Sequence, residues 1–177
     1  MIAIISGTNR MDSNTHKIAT ICKNIVESEN SNAQLIDLKS MSGVSLDSTM
    51  YVPDNQDAVV AKTQDEILLP SNKWIIIIPE YNGGIPGIFK LFIDILSTRL
   101  KDETFQNKTA LIIGVAAGRA GNARGLDYLT NCLNYLGMNV YPSKLPISSI
   151  GLVLENDTLD EGTMDILSST IQRFIKS

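Results

Sequence analysis

Short apolar runs alternate along the chain with longer segments in which apolar residues recur every three or four positions. The runs that predict strands are Ile2 to Ser6, Gln34 to Leu38, Lys73 to Pro79, Thr109 to Val115 and a short one near Met138 to Tyr141. The run KWIIIIP has no polar alternation, as expected for a strand buried on both faces of a sheet. Strands that alternate with helices are typical of a parallel sheet covered by helices, and we predict this strand near the centre.

Segments with helical spacing lie between and after these runs. They span Ser13 to about Glu29, about Asp54 to Leu69, about Pro86 to Leu100, Asn122 to Leu136 and about Thr158 to Lys176. The third of them carries apolar residues around nearly its whole circumference, and such a helix must be buried on both sides. With one helical layer on each face of the sheet, its outer side would have no cover within the chain. We therefore predict self-association through this helix.

The composition is that of an ordinary globular protein. Its 177 residues are 44% hydrophobic and 19% charged, and we expect one domain over residues 1–177. A net charge of −4, without any block of Lys or Arg, argues against nucleic acid as a partner. No apolar run approaches the length of a membrane span and no leader-like segment opens the sequence, so we expect no membrane association and a cytoplasmic location. The long irregular stretch from Lys39 to Pro53 is a candidate lid.

The sequence offers little for metal, disulfide or triad chemistry. Cys22 and Cys132 lie far apart without a closely spaced Cys or His partner, so we predict neither a metal site nor a disulfide framework. Both fall on apolar helix stripes and are interpreted as small buried hydrophobes. His16 is the single histidine and has no nucleophile motif beside it, which argues against a catalytic triad.

Three loops that follow predicted strands carry the candidate chemistry, because ligands of open parallel sheets bind beyond the carboxyl ends of the strands. The loop from Gly7 to Thr15 combines hydroxyl and amide side chains with one cation, Arg10, at the start of a helix. That combination favours an anion site. From the residues alone, Ser13 or Asn14 serving only as a helix cap is about equally supported. The loop lacks the Gly-Lys-Ser/Thr of nucleoside triphosphate sites, and no G-x-G-x-x-G follows a strand.

The second and third loops favour recognition by the backbone. In the loop from Glu80 to Gly87, the glycines Gly83 and Gly84 would let the main chain approach a flat ring closely, and Pro86 would preset the next helix. The third loop, from Ala116 to Asn122, brings another helix N-terminus to the same edge of the sheet.

Taken together, these motifs resemble the NADPH-dependent FMN reductase family. The resemblance is carried by Gly7-Thr8-x-Arg10-x-x-Ser13, by Pro79-Glu80-Tyr81-Asn82-Gly83-Gly84-x-Pro86-Gly87 followed by Lys90 and Asp94, and by Gly118-Arg119-Ala120-Gly121. It implies a flavodoxin-like α/β fold, a three-layer sandwich whose five-stranded parallel sheet has the order 2-1-3-4-5 with helices on both faces. It also implies that the chain binds FMN.

The resemblance assigns the cofactor contacts residue by residue. The FMN phosphate would be held by Thr8, Arg10, Ser13, Asn14 and Thr15. The ribityl chain and flavin ring would lie against Pro79, Glu80, Tyr81, Asn82 and Gly83, with Gly118 and Gly121 approaching the ring from the fourth strand.

The activity implied by the resemblance is an FMN-dependent oxidoreduction. NADPH or NADH would pass a hydride to N5 of the flavin, and a quinone, azo compound, metal ion or free flavin would then take the electrons, so no side chain need act as a covalent or acid–base catalyst. Members of the family commonly form a homodimer or homotetramer. The alternatives are a flavodoxin-type electron carrier and a flavin-free scaffold of the same fold. The modest charge of −4 and the aromatic content of 6% argue against the carrier.

Overall fold

The computed structural model describes residues 1–41, 43, 48–52 and 55–177. Its main sheet is parallel and has the strand order β2-β1-β3-β4-β5. The strands are β1 (Ile2–Ser6), β2 (Ala33–Asp37), β3 (Lys73–Pro79), β4 (Thr109–Val115) and β5 (Asn139–Val140). The order implied by the resemblance is confirmed, as is the placement of β3 at the centre.

The fifth strand position of the sheet is split between two short strands. β5 pairs with the start of β4, at Thr109 and Ala110, whereas β6 (Leu145–Ile147) pairs with the end of β4, from Ile113 to Val115. The sequence analysis predicted one short strand here and missed β6. It also missed the small hairpin formed by β7 (Leu154–Glu155) and β8 (Thr158–Leu159).

Each of the five predicted segments contains a helix, with differences at several boundaries, and two short helices of the described residues, at 101–105 and 150–153, were not predicted. The helices are α1 (Asn14–Ser28), α2 (Ala58–Thr63), α3 (Gly87–Leu96), α4 (Lys101–Phe105), α5 (Ala123–Tyr135), α6 (Ile150–Val153) and α7 (Glu161–Lys176). A π-helical turn, Gln64–Leu68, continues α2, and 3-10 turns lie at Leu38–Met41 and Ser48–Tyr51. The predicted start of the second helix, Asp54, lies outside the described residues, as do Ser42, residues 44–47 and Pro53 of the candidate lid. None of the described helices has the length and apolar character needed to cross a membrane.

Two of the boundary differences have a local cause. The predicted helix from Pro86 to Leu100 ends at Leu96, and Leu100, in a left-handed conformation (φ 48°), starts α4. The last helix begins at Glu161 instead of near Thr158, because Thr158 belongs to β8 and Asp160 caps the helix by accepting from the Thr163 amide.

Apolar side chains on the two faces of the sheet form two cores. One face packs against α3 and α5, and the other packs against α1 and α7. Residues next to each other in β3 alternate between the two, with Ile76 in the first core and Ile75 in the second. The molecule is therefore the three-layer sandwich expected of a flavodoxin-like fold.

The expectation that α3 lacks cover within the chain is wrong. Phe92 and Ile95 are only 2% and 1% exposed. They pack with Met41 and Val60, which come from the segment between β2 and β3. That segment supplies the second layer that the helical pattern requires. Self-association stays a prediction, but the apolar circumference of α3 no longer supports it.

The two cysteines differ in burial. Cys22 is fully buried on α1, and burial raises the pKa of its thiol far above the usual range, so it is unreactive. Cys132 on α5 is partly exposed, contrary to the expectation that both cysteines are core residues. It lies on the edge of the apolar stripe of α5 instead of at its centre, which Leu129 and Leu133 occupy.

Candidate functional site

A cleft of about 370 Å³ opens at the carboxyl ends of β1, β3 and β4. We call it the main cleft. It is lined by residues 10–15 from the loop after β1, residues 79–81 at the end of β3, residues 115–117 at the end of β4, and Ile150 from α6. This is the edge at which open parallel sheets bind their ligands.

The loop after β1 leads directly into the N-terminus of α1. Ser13 is the N-cap, and its hydroxyl accepts a hydrogen bond of 3.1 Å from the Thr15 amide. No acidic residue lies in the first turn, so the positive end of the helix dipole is not neutralised there. The Arg10 side chain is exposed and forms no ion pair within the described part of the chain. The capping role of Ser13 is confirmed, and the loop also offers an anion a free guanidinium beside a helix N-terminus.

One acidic residue lies in the same loop. Asp12 lines the main cleft and adopts a left-handed backbone conformation with φ 48°. Its charge opposes that of Arg10 at the anion end, so any anion bound there must be held by enough donors to offset this repulsion.

The second loop is a tight hairpin turn. The amide and carbonyl of Tyr81 pair with those of Gly84, at 3.0 Å in both directions. The two central residues, Asn82 and Gly83, have φ values of 51° and 76°, which is the conformation of a type I′ turn and explains the Asn-Gly sequence. A turn requirement therefore accounts for Gly83 without any ligand. Gly84 is different, because a Cβ there would lie 3.8 Å from the nearest atom and the fold does not demand a glycine.

A hydrogen bond links the first loop to the second. The Thr8 hydroxyl oxygen lies 2.7 Å from the Tyr81 hydroxyl and also accepts a hydrogen bond of 3.2 Å from the Arg10 amide. Thr8 is 1% exposed, so its side chain is covered and does not line the main cleft.

Asn122 fixes the third loop to the end of β3. It is 1% exposed, and its Nδ2 donates to the carbonyl oxygens of Ile78 at 3.2 Å and Pro79 at 3.0 Å. Its Oδ1 accepts from the Gly125 amide at 3.2 Å, which caps α5. The N-terminus of α5 is thereby tied to the backbone immediately before Glu80 and Tyr81. The sequence places Asn122 at the end of the third loop but does not indicate this role.

Close packing explains two glycines beneath the third loop. A Cβ on Gly114 would lie 2.2 Å from the carbonyl oxygen of Gly121, and a Cβ on Gly121 would lie 2.5 Å from the Pro146 Cβ. Gly121 also has φ 56°. Packing and conformation thus require Gly121 independently of a ligand. Gly118 is exposed, and a Cβ there would meet no heavy atom of the described residues within 4 Å.

The segment after β6 forms the wall of the main cleft that sequence analysis missed. The Ala116 amide donates to the Ile147 carbonyl at 3.1 Å, and the Ile150 amide donates to the Ala116 carbonyl at 3.0 Å. Further along, Asp157 in the β7–β8 turn forms an ion pair of 2.6 Å with Lys17 of α1. The segment therefore spans from the end of β4 to α1 and places Ile150 in the wall.

The structure brings most of the predicted site residues together. Those that line the main cleft are Arg10, Ser13, Asn14, Thr15, Pro79, Glu80 and Tyr81. Those that do not line it are Thr8, Asn82, Gly83, Gly118 and Gly121. Lining residues that were not assigned to the cofactor are Met11, Asp12, Val115, Ala116, Ala117 and Ile150. All of them lie in the first and third loops except Val115, which ends β4, and Ile150, whose place depends on the path of the chain after β6.

Comparisons with known proteins bear on the family and the fold of the chain. A sequence model of the family described as NADPH-dependent FMN reductase matches residues 1–151. The 2-hydroxy-1,4-benzoquinone reductase of Burkholderia sp is 27% identical over 135 residues, which is 76% of this chain and 70% of that protein.

Among solved structures, the flavoenzyme NAD(P)H:(acceptor) oxidoreductase FerB from Paracoccus denitrificans superposes with a TM-score of 0.82 at 22% identity. The match covers 99% of this chain and 94% of FerB. A flavodoxin from the domain Archaea gives a TM-score of 0.62 at 14% identity, covering 99% and 97% of the two chains. These structural similarities establish the flavodoxin-like fold.

Proposed function

The chain belongs to the NADPH-dependent FMN reductase family, and from this premise we propose that it holds FMN in the main cleft and passes electrons from NAD(P)H to a small-molecule acceptor such as a quinone or a free flavin. The observation that carries the proposal is the layout of the main cleft. A cationic helix N-terminus lies at one end, and small apolar residues and strand ends lie at the other. A homodimer or homotetramer is part of the proposal on the strength of the family resemblance.

The end of the main cleft near α1 fits a phosphate. Arg10 supplies a free guanidinium, and α1 supplies the unpaired amides and partial positive charge of a 15-residue helix. We assign the phosphate to Arg10, Ser13, Asn14 and Thr15, which all line the cleft. The Ser13 hydroxyl oxygen accepts from the Thr15 amide, which fixes the turn, and its hydroxyl hydrogen can still donate to the phosphate.

The opposite end fits a flat ring. Val115, Ala116 and Ala117 present small apolar side chains at the end of β4, and Ile150 faces them from α6. Pro79 ends β3 and Tyr81 follows it, and because β3 lies between β1 and β4, both line the cleft between its two ends. The cleft volume of about 370 Å³ is within the range of small-molecule pockets. Asn82, Gly83 and Gly118 are assigned to the mouth of the cleft, outside its lining, and Gly121 is assigned to packing.

The residues of the main cleft bind and orient, and the redox chemistry belongs to the cofactor. When bound, FMN supplies a ring that accepts a hydride from NAD(P)H and returns electrons to the acceptor. Glu80 has its amide committed to the Val115 carbonyl at 3.0 Å, which holds the second loop against the end of β4. We therefore give Glu80 a positioning role and assign no proton transfer to it.

Arg10→Ala tests the assignment of the phosphate. Losing a hydrogen bond to a charged group costs roughly 1.5 to 3 kcal/mol, so FMN affinity should fall by about 10- to 150-fold. Riboflavin has no phosphate, and its affinity should change far less. Both affinities are measured by flavin fluorescence titration. Arg173→Ala is the matched control, because Arg173 is an exposed cation in the last turn of α7, outside the main cleft.

The proposed activity is tested on the wild-type protein by adding FMN and then NAD(P)H without oxygen. Bleaching of the flavin spectrum supports the reductase. FMN binding without bleaching would favour a flavodoxin-type carrier, and failure to bind FMN would favour a flavin-free scaffold. An equal loss of FMN and riboflavin affinity in Arg10→Ala would refute the phosphate assignment.

A further inference from the structure

We propose that the Tyr81 hydroxyl donates a hydrogen bond to the cofactor phosphate and that Thr8 is the residue that orients it. The inference rests on the proposed function, because it concerns FMN in the main cleft. It reassigns both residues. The family resemblance gives Thr8 a direct phosphate contact and places Tyr81 against the ribityl chain and ring.

The geometry places the Tyr81 hydroxyl at the anion end of the main cleft. Tyr81 belongs to the second loop, yet its hydroxyl oxygen lies 2.7 Å from the Thr8 hydroxyl oxygen in the first loop. The same Thr8 oxygen accepts the amide hydrogen of Arg10 at 3.2 Å. The phenol oxygen is thus one hydrogen bond from the atom that anchors the Arg10 backbone. Tyr81 is one of the residues that line the main cleft, and Thr8 is not.

Counting hydrogens decides which hydroxyl donates. A threonine hydroxyl has one hydrogen and two lone pairs, and at Thr8 one lone pair is taken by the Arg10 amide. If Tyr81 donated to the other lone pair, the Thr8 hydrogen would have no acceptor among the described residues. Thr8 is 1% exposed, and a buried hydroxyl hydrogen without an acceptor is unfavourable. Thr8 therefore donates to Tyr81.

This direction leaves the Tyr81 hydrogen without a partner in the described part of the chain. Tyr81 lines the main cleft and is only partly buried, so a ligand in the cleft can supply the acceptor. A phenol that already accepts a hydrogen bond is polarised and becomes a stronger donor, and hydrogen bonds to an anionic oxygen are the strong ones. The arrangement suits a phosphate oxygen, beside Arg10 and the N-terminus of α1. In this scheme Thr8 is a positioning residue, and Tyr81 contacts the ligand.

Tyr81→Phe removes the phenol oxygen and leaves the Thr8 acceptor of the Arg10 amide in place. FMN affinity should fall by about 10- to 150-fold, while riboflavin affinity should change by less than about threefold. Thr8→Val removes both the donor to Tyr81 and the Arg10 amide acceptor, so its loss should be at least as large. Thr8→Ser retains the hydroxyl and should restore FMN affinity to within about threefold of wild type.

The double variant Thr8→Val/Tyr81→Phe tests whether the two residues act as one unit. Its FMN affinity should match that of Thr8→Val within about threefold, because the second change removes a donor that is already misplaced. Fluorescence titration gives all affinities. Riboflavin binding and the circular dichroism spectrum show whether each variant is folded.

The outcomes separate this inference from the proposed function. If the wild type binds no FMN, the proposed function and this inference both fail. If the wild type binds FMN and Tyr81→Phe loses no affinity, or loses FMN and riboflavin equally, the inference fails and the proposed function stands. Additive losses in the double variant, or failure of Thr8→Ser to restore binding, would remove the orienting role of Thr8.

Discussion

Replacing Asn122 with alanine should destabilise the protein strongly, because the hydrogen bonds of this side chain hold the N-terminus of α5 to the end of β3. The variant loses donated hydrogen bonds to the carbonyl oxygens of Ile78 and Pro79 and an accepted one from the Gly125 amide. All of them are buried, so water cannot replace them where Asn122 is 1% exposed.

The expected magnitude follows from these contacts. Each intramolecular hydrogen bond contributes about 1 kcal/mol net, and the partners left without a bond add to the loss. Asn122 has φ 63°, a left-handed conformation that costs alanine about 1 kcal/mol. The free energy of unfolding should therefore fall by about 4 kcal/mol, of which about 3 kcal/mol comes from the hydrogen bonds.

Urea unfolding of the wild type and two variants measures these contributions. Asn30→Ala is the matched control, because Asn30 also has a positive φ, 57°, but is exposed just beyond α1 and outside the main cleft. It should lose only the conformational part, about 1 kcal/mol. If the free energies of unfolding of Asn122→Ala and Asn30→Ala differ by less than about 1 kcal/mol, the buried hydrogen bonds of Asn122 do not stabilise the contact between α5 and β3.

Two further predictions concern packing and pH. Gly114→Ala should lower the free energy of unfolding by about 1–3 kcal/mol, because its Cβ would lie 2.2 Å from the Gly121 carbonyl oxygen. Gly118→Ala, the control, should change the free energy of unfolding by no more than about 0.5 kcal/mol in thermal denaturation. Equal effects of the two substitutions would refute the packing argument. Burial lowers the pKa of Lys108, which is 4% exposed, from its ordinary 10.5 to about 8. Between these values the unfolded chain binds a proton that the folded chain does not, so Lys108 should make the free energy of unfolding rise with pH across this window. In Lys108→Met, the free energy of unfolding measured by urea titration should no longer show this rise between about pH 7 and about pH 10. An unchanged pH dependence in the variant would contradict the prediction.

The sequence was most informative where a strand is buried on both faces. β1, β3 and β4 are continuous apolar runs, and their predicted bounds match those observed. The strands at the fifth position of the sheet were harder to predict, because Pro142 and Pro146 interrupt the hydrophobic pattern there. In addition, the pairing of β6 with β4 joins residues that are far apart in sequence. A local pattern carries no information about such a pairing.

The error at α3 has a related origin. Its apolar circumference correctly indicated burial on both sides, but the pattern cannot say whether the covering residues come from the same chain. The covering residues are Met41, in the 3-10 turn after β2, and Val60, in α2. The hydrophobic pattern of the sequence is weak in both places.

The candidate site was predictable as far as it lies in loops that follow strands. Arg10 to Thr15 and Pro79 to Tyr81 line the main cleft because the carboxyl ends of parallel strands meet at one edge. Ile150 was not predictable, since its place in the wall depends on the path of the chain after β6. Residues with special conformations were the most ambiguous, because a type I′ turn and a ligand both select glycine at position 83.

The split fifth strand also affects how the protein behaves in a concentrated solution. An uninterrupted edge strand exposes a row of amides and carbonyls on which a second chain can add, and this is a common route to aggregation. A second chain that added at the border beyond β4 would meet the two residues of β5 and then a break that contains Pro142. It would next meet Pro146 in β6, which has no amide hydrogen to donate. Strand addition should therefore stop after a few bonds at this border, whereas β2, the five-residue strand at the opposite border, carries no such interruption.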